Sequence, residues 1–437
     1  MKLWDKGYKL DDLVETFMTG DDPQLDHALI TYDCIGSIAH AKMLTKIGIL
    51  TLTECEQLTE ALQDIIDLAK ENKFTIQFQD EDVHTAVENA LIAKLGDLGK
   101  KLHTARSRND QVLLDMRLYS KEWLINITQG VLNVSEVLCH FAQKHQDTPM
   151  PGRTHFQRAM PSSMGLWAGA FAESLLDNVE LLKTAYFLVD QCPLCSAASY
   201  GVSLAIDRQY TADLLGFRAV QNNVLYVNNS RGKFESIILS ALVQIMNDLS
   251  KISTDIIIFC APEFGYLSLS EKFCAGSSLM PQKRNPCPLE LIRAKSAILQ
   301  GMLFQVLELI RALPSGYNRD FQETKRPLMQ GFDLTLMSLN VFATIFSELQ
   351  VNEAQCRGSF TSELFATDKV LSLVKQGIPF RDAYKQVAHD LDQVELSDPQ
   401  ANILAKKHQG ATGNLGLDLS FKKIQEYQQW IAATNLL

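Results

Sequence analysis

Five long stretches of helical character constrain this 437-residue chain more than any other feature of its sequence. In the first, residues 111–144 contain no proline and a single glycine, and apolar residues recur at the spacing of one helix face. The other four are residues 162–190, 233–260, 288–313 and 327–350. Each is long for a globular helix, and each apolar stripe needs a partner to cover it. The pattern therefore predicts an all-α fold with a central bundle of five helices.

Shorter helical segments lie on both sides of this bundle. Proline and glycine breaks divide them, at Pro23 and Gly96 near the start of the chain and at Pro379 and Pro399 near its end. Strand-like alternation is confined to residues 74–78. Helices this long expose broad apolar faces in a single chain, so we expect several chains to associate. We predict three helical regions, which span residues 1–106, 107–356 and 357–437.

Composition narrows the functional classes. The net charge of −10 argues against a nucleic-acid-binding protein, which is normally basic. We expect no membrane span and a cytoplasmic location, because no apolar run approaches ~18–20 residues and the first residues lack a signal-peptide core. The nine cysteines are scattered, and we expect reduced, mostly buried thiols. Cys192 and Cys195 form the one Cys-x-x-Cys pair, which is a weak zinc or redox signal.

One polar segment, which we call the serine loop, spans residues 276–286 and reads GSSLMPQKRNP. Its glycine, serines and prolines predict a loop that presents a hydroxyl, a cation and an amide, those of Ser277, Lys283 and Asn285. Such a loop suits a catalytic lid, although a polar surface loop has the same composition. Glu290, just beyond it, is either an acid favoured by a helix N-terminus or a partner for a histidine.

A second polar segment, the helix-start segment, spans residues 103–111 and precedes the first long helix. Ser107, Arg108 and Asn109 could bind a carboxylate there, because a helix N-terminus offers free N–H groups and arginine offers a two-pronged donor. The alternative is an ordinary helix cap in which Asn109 or Asp110 satisfies those N–H groups without any ligand.

Two connectors between long helices carry further hydrogen-bonding side chains. The histidine segment, residues 151–161, holds His155 between Thr154 and Gln157, which could orient the imidazole or a substrate. A solvated loop histidine is the alternative. The tyrosine segment, residues 317–325, is equally polar and could be a solvated connector. Its candidate ligand-binding residues are Tyr317, Gln322 and Lys325.

Together these segments resemble the fumarase/aspartase superfamily, and within it the argininosuccinate lyases. The superfamily pattern Gly-Ser-Ser-x-Met-Pro-x-Lys-x-Asn is met from Gly276 to Asn285, and the Gln282-Lys283-Arg284 version is similar to that of argininosuccinate lyases. The resemblance extends from about Val14 to Val387. Further matching runs are Glu81-Asp82-Val83-His84, Ser107-Arg108-Asn109-Asp110-Gln111, Thr154-His155-Phe156-Gln157-Arg158, Tyr317-Asn318-Arg319-Asp320 and Gly377-Ile378-Pro379-Phe380-Arg381-Asp382-Ala383.

The resemblance implies an assembly and a reaction. It implies a homotetramer with a shared helical core, in which each active site collects segments from three subunits. It also implies the reversible cleavage of argininosuccinate to arginine and fumarate, the last step of arginine biosynthesis, with neither cofactor nor metal. The proton removed lies beside a carboxylate, so its loss gives a dianion that fixed positive charges and donors must stabilise.

The resemblance also implies residue roles. Ser277 is the general base, and Lys283 and Asn285 stabilise the developing negative charge. His155, oriented by Glu290, acts on the other side of the substrate as an acid or as a charge-stabilising group. The fumarate-derived carboxylates are assigned to Ser107, Arg108, Asn109 and Thr154. The arginine portion or its carboxylate is assigned to Tyr317, Gln322 and Lys325.

Several departures from the family pattern affect substrate binding. Asp5-Lys6-Gly7-Tyr8 replaces Gly-Gly-Arg-Phe, and Met18-Thr19-Gly20 replaces Asn-Ala-Ser. Arg231-Gly232-Lys233 replaces a more acidic stretch, and Arg231 is a further candidate for the site. These departures leave open a sister lyase of the adenylosuccinate type, which releases fumarate from another succinylated amine. An inactive, δ-crystallin-like structural protein is the second alternative, but a retired enzyme usually loses site groups and this chain keeps them.

Replacing Ser277 by alanine should abolish turnover and leave substrate binding intact, because the change removes only the implied base. Fumarate release and equilibrium substrate binding, measured on the variant and the wild type, test this. Activity retained at even about a tenth of the wild-type rate would remove Ser277 from the base role.

Overall fold

The computed structural model describes residues 10–434. The sequence departure at Asp5-Lys6-Gly7-Tyr8 lies outside these residues. In the described range the chain is mainly helical, and the largest sheet is a two-stranded ribbon. The predicted all-α class is therefore confirmed.

Six short or medium helices form the first part of the structure. They are α1 Asp12–Thr19, α2 Asp22–Asp26, α3 Ile30–Lys46, α4 Leu52–Lys70, α5 Val83–Leu95 and α6 Asp97–Lys101. At the start of α4, Thr51 accepts the N–H of Glu54 while the Glu54 carboxylate accepts the N–H of Thr51, so two helix-end donors are satisfied. α3 packs against both α4 and α5.

The long helices and all the described strands follow. They are α7 Arg108–Lys144, β1 Pro149–Thr154, β2 Gln157–Ser163, α8 Met164–Val189, β3 Gln191–Cys192, α9 Arg208–Leu214, β4 Ala219–Val220, α10 Val224–Asn229, α11 Lys233–Cys260, β5 Leu267–Ser268, α12 Cys287–Ile310, α13 Lys325–Ser347 and β6 Gln350–Val351. The five predicted stretches correspond to α7, α8, α11, α12 and α13. The predicted bundle of five long helices is confirmed.

The chain ends in smaller helices. They are α14 Glu353–Gly358, α15 Ala366–Lys375, α16 Phe380–His389, α17 Pro399–Ala405 and α18 Leu417–Ala433. α15 and α16 pack together around a small separate core that includes Phe365 and Val387. α18 instead packs on α7 and α8, and its Ile424 and Tyr427 belong to the main core. The predicted boundaries of the three regions remain predictions.

α7 is the central element of the main core. It packs against α8, α13, α3 and α18, while α11 packs against α8, α12 and α13. Aromatic rings join these helices: Trp123 of α7 stacks on Phe332 of α13 with ring centroids 5.6 Å apart. Burying a side chain such as Phe332 contributes about 1.5–3 kcal/mol, so each long helix is stabilised mainly by its neighbours.

The connector between α7 and α8, in which no strand was predicted, is a β-hairpin. β1 and β2 pair antiparallel from Pro149 opposite Ser163 to Thr154 opposite Gln157. Prolines that would block a central strand are tolerated because a two-stranded ribbon has only edges. The prolines concerned are Pro149, Pro151 and Pro161.

The strand suggested at residues 74–78 is also wrong. This stretch is irregular and leads into a 3₁₀ turn at Phe78–Asp80. Ile76 is buried and Phe74 packs against the core, so the alternating apolar residues face inward without a strand to pair with. Alternation alone marks a half-buried segment, and pairing requires a second chain segment beside it.

Part of α12 remains uncovered in the single chain. α12 packs on α11 and α13, yet some of its large apolar side chains are exposed, including Leu291 at 58% and Phe304 at 65%. Ile298, two turns after Leu291, is 52% exposed. Leu291 and Ile298 share one side of α12, and Phe304 projects from another side near its end; exposed apolar side chains of this size suit an association surface.

One helical segment is apolar and long enough to cross a membrane by length and composition, which the sequence analysis did not anticipate. It is Arg319–Ser347, and 56% of its most apolar window is buried inside the protein. Phe332, Phe342 and Phe346 of this segment are fully buried against the other long helices. The composition of the segment is explained by its place in the core.

Replacing Gly165 at the start of α8 by alanine should lower the free energy of unfolding by about 1–3 kcal/mol. A Cβ there would lie 2.6 Å from Gln146 Cα and 2.7 Å from Ala142 O, both backbone atoms that cannot turn aside. Urea unfolding of the variant measures the loss. Gly358→Ala is the matched control, because its Cβ would meet nothing within 4 Å, and an equal loss there would contradict this explanation.

Candidate active site

A polar cavity of about 310 Å³ brings together two of the four polar segments. The helix-start segment contributes Ser107, Arg108 and Asn109, and the tyrosine segment contributes Tyr317, Arg319 and Gln322. These residues are about 200 positions apart in the sequence, and they meet because α7 packs along α13. Arg231, which precedes α11, also lines the cavity.

Ser107 is the N-cap of α7, so the alternative that named Asn109 or Asp110 as the cap chose the wrong residue. The Ser107 hydroxyl accepts the N–H of Asn109, and the Asp110 carboxylate accepts the N–H of Ser107 at 2.6 Å. Serine, asparagine and aspartate are all good caps, so composition could not select among them. Burial raises the pKa of Asp110 to about 6, and its second oxygen accepts the N–H of Ala197.

Carboxylates hold the two arginines of the cavity in place. Arg108 donates to Asp82 at 2.6 Å and lies 3.5 Å from Glu81. Arg319 donates to the other oxygen of Glu81 at 2.9 Å and to the carbonyl of Met18. The Glu81 carboxylate therefore bridges a cation from each segment. Paired arginines keep their charge and lose little freedom when a ligand binds.

The divergent stretch Met18-Thr19-Gly20 forms part of the same region. The Gln322 amide donates to the carbonyls of Met18 and Thr19. Lys325, 2% exposed at its side chain, is ion-paired with Asp22 at 2.9 Å and Asp26 at 2.5 Å, and it does not line the cavity. These two aspartates, which do line it, therefore neutralise the lysine assigned to the substrate.

Arg231 faces the cavity differently from the other arginines. It is 6% exposed, and its guanidinium lies 5.9 Å from the centre of the Tyr317 ring. Within residues 10–434 its side chain makes no ion pair or hydrogen bond with protein groups. A buried arginine that faces a polar cavity in this way is suited to bind an anionic ligand.

The histidine segment lies elsewhere on the chain. His155 and Phe156 form the two-residue turn of the hairpin with φ of 53° and 60°, and Phe156 is 75% exposed. Positive φ at both positions matches the twist of a tight hairpin but is costly for residues other than glycine or asparagine. The turn borders a second, largely apolar cavity of about 490 Å³, lined also by Trp167 and Phe264.

The serine loop is irregular, as predicted, and exposed. Two backbone hydrogen bonds between Ala275 and Asn285, of 3.0 and 2.9 Å, close its base. The Ser277 hydroxyl accepts the N–H groups of Leu279 and Met280, and Lys283 is exposed. Glu290 lies exposed in the first turn of α12, and in the described residues it makes no contact with His155.

A single chain therefore assembles half of the candidate site. The helix-start and tyrosine segments share one cavity, while Thr154, His155, the serine loop and Glu290 are not among the described residues that line it. The roles inferred for these residues remain predictions. The sequence analysis gave no role to Asp22, Asp26 or Glu81, although the acidic run before α3 and the Glu81-Asp82 pair were visible signals.

Comparisons with known proteins bear on this arrangement. Residues 11–301 match the protein family described as Lyase. The argininosuccinate lyase of Thermotoga neapolitana is 45% identical over 387 residues, covering 89% of this chain and 97% of the relative. That of Sorangium cellulosum is 40% identical over 418 residues, covering 96% and 97%. The chain belongs to the argininosuccinate lyase family.

Solved structures of more distant proteins share the fold of this argininosuccinate lyase family member. A crystal structure of EDDS lyase in complex with formate superposes with a TM-score of 0.82 at 23% identity, covering 98% of this chain and 93% of that one. A class II fumarase from Schistosoma mansoni gives 0.74 at 16% identity, covering 90% and 93%. The predicted fumarase/aspartase-like fold is confirmed.

A buried histidine that contacts the helix-start segment should lower the free energy of unfolding in acid. His40 is fully buried, donates from Nε2 to the carbonyl of Thr104 at 2.8 Å, and accepts from the thiol of Cys195 through Nδ1. Burial and the nearby Arg106 lower the pKa of His40 to about 3. The unfolded chain therefore binds the extra proton first, and stability falls as pH drops below about 6.5, by up to about 1.4 kcal/mol per pH unit.

The measurement is the free energy of unfolding from pH 7 to 4.5 for wild type and His40→Gln. The difference between the two curves should shrink as pH falls, because only the wild type carries this penalty. His140→Gln on the exposed side of α7 controls for the loss of an imidazole. A constant difference across the range would contradict the assignment.

Proposed function

We propose that this protein cleaves argininosuccinate reversibly to arginine and fumarate by β-elimination across a C–N bond. The observation that carries the proposal is the complete Gly276–Asn285 signature, held on an exposed loop with its base closed by the Ala275–Asn285 pair. Near-full-length relatives that bear this name, at 38–45% identity, support the same substrate.

The chemistry of this reaction accounts for the residue types. Ser277 takes the proton beside the succinyl carboxylate, and the electrons delocalise into that carboxylate as a dianion. Lys283 and Asn285 stabilise the dianion through a cation and an amide donor. The C–N bond then breaks, and the guanidinium leaves with a proton supplied on the side of His155. A serine becomes basic only when its alkoxide is stabilised and water is excluded, which requires the loop to close.

The charges in the cavity fit the two ends of argininosuccinate. Carboxylates of the substrate need arginines, and Arg231 and Arg319 face the space beside Asn109. The guanidinium of the substrate needs acceptors, and four carboxylates line the cavity, those of Asp22, Asp26, Glu81 and Asp82. In the free protein they pair with Lys325, Arg108 and Arg319, so a substrate guanidinium would share acceptors with these cations. The mixture of signs fits a substrate that carries both charges.

We also propose that the active enzyme is a homotetramer whose sites combine segments from three chains. Each single chain leaves His155 and Ser277 outside the cavity that holds Ser107. The exposed apolar side chains of α12, Leu291, Ile298 and Phe304, supply surface that association would cover.

The test of the reaction is fumarate release by the purified protein from argininosuccinate, with adenylosuccinate as the comparison substrate. Release from argininosuccinate is expected at least about a hundredfold faster, because the near-full-length relatives are argininosuccinate lyases and a site matched to one substrate leaves polar groups unpaired with another. Release from adenylosuccinate alone would identify a sister lyase. No release from either substrate by a folded oligomer would favour a structural protein.

The shared site is tested by mixing two inactive variants. His155→Ala and Ser277→Ala are dissociated together in equal amounts and allowed to reassemble. If the two segments of one site come from different chains, about one quarter of the sites regain both wild-type groups, and activity should return to that level. Mixed oligomers without activity would place both groups of a site on one chain. Each variant reassembled alone is the control.

A further inference from the structure

A cluster of buried polar side chains joins three helices beside the cavity, which its member His84 also lines. Asp33 of α3, His84 of α5 and Asp115 of α7 each place one ligand-type atom within 4.8 Å of the other two. His84 Nδ1 lies 2.8 Å from Asp33 Oδ1 and 3.7 Å from Asp115 Oδ2. All three side chains are at most 2% exposed. The mechanism above uses none of them.

The cluster has more unpaired acceptor atoms than unpaired donor atoms, since His84 Nε2 is its one buried nitrogen without a partner. Asp33 Oδ2 and both carboxylate oxygens of Asp115 are buried and have no hydrogen-bond partner. Gln111, one turn before Asp115 and 3% exposed, donates its amide nitrogen to Asp33 Oδ1 at 3.4 Å, and its Oε1 is also unpaired. Four buried oxygens without a donor require either protons or a cation.

Protons do not satisfy this set of atoms. A proton on Asp115 would remove one charge, but it would bring no donor to Asp33 Oδ2 and Gln111 Oε1 together. Arg106 adds positive charge to the region, yet its guanidinium donates to Ser37 Oγ and not to either carboxylate. The oxygens of Asp33, Gln111 and Asp115 would remain without donors.

The spacing instead suits ligands of one metal ion. Two ligand atoms that each lie about 2.1 Å from a metal are separated by about 3.0–3.6 Å in octahedral or tetrahedral geometry. The observed separations of 2.8 and 3.7 Å bracket that range. Two carboxylates, an amide oxygen and an imidazole form a mixed oxygen and nitrogen set, which Mn²⁺ and Zn²⁺ accept.

We propose that Asp33, His84 and Asp115, with Gln111 Oε1 as a fourth ligand, bind one divalent cation of the Mn²⁺ or Zn²⁺ type. The ion is structural: it fastens α3, α5 and α7 together behind the helix-start segment and takes no part in the elimination. The inference is independent of the proposed reaction, because it rests on the ligand atoms and not on the substrate.

The test uses the full, untagged protein, stripped with EDTA and then titrated with Mn²⁺ or Zn²⁺ alone. Elemental analysis should find one ion per chain after removal of excess metal, and the thermal midpoint should rise by at least about 2 °C at saturation. Crystals soaked in Mn²⁺ should show an anomalous peak between Asp33 and Asp115. No bound ion and no shift in the wild type would overturn the proposal.

Variants separate this site from surface binding. Asp115→Asn should abolish both the stoichiometric ion and the thermal shift. Gln111→Ala, a milder change, should weaken binding at least about tenfold and keeps the test open if the first variant does not fold. Asp248→Asn is the matched control, because Asp248 is a helix acid already paired with Ser174 and Asn178. A shift that survives in Asp115→Asn would assign the ion to another place and refute this site.

Discussion

Burial of α7 among its neighbours is the interaction on which the rest of the structure depends. The helix runs from Arg108 to Lys144 and packs on α8, α13, α3 and α18. It therefore contacts helices from the first and last parts of the chain as well as the other long helices. Its first turn supplies Ser107 and Arg108 to the cavity, and its second supplies Asp115 to the buried cluster. A helix of this length is held by packing more than by its own propensity.

Ion pairs fix the positions of the charged side chains in the cavity, as packing fixes the helices of the core. Asp82 and Glu81 hold Arg108 and Arg319, and Asp22 and Asp26 hold Lys325, before any ligand arrives. Desolvated cations would be unstable alone, and their acids make the site rigid. Arg231 differs, since its main neighbour is an aromatic ring. The cavity is thus largely preorganised, and among residues 10–434 Arg231 is a cavity cation without an ion pair.

Features that depend on a local repeat of apolar residues could be predicted from the sequence. Features that depend on contacts between residues distant in the sequence could not. The five long helices could be predicted because their apolar residues repeat locally. The hairpin after α7 could not, because its prolines indicate a loop and its pairing depends on residues up to fourteen positions apart, Pro149 and Ser163. The residue that caps α7 required backbone angles. The pairing of Lys325 with Asp22 spans about 300 positions, which no local pattern encodes.

The turn at His155 and Phe156 has a consequence for how such a protein can change over time. A left-handed pair of residues would fold most easily as Asn-Gly, and the chain instead keeps an imidazole and a phenyl ring there. Under the role proposed for His155, the requirements of stability and of chemistry conflict at this turn. A lineage that is no longer under selection for activity could replace both residues by better turn formers. The residues found at this turn therefore indicate whether activity is still selected.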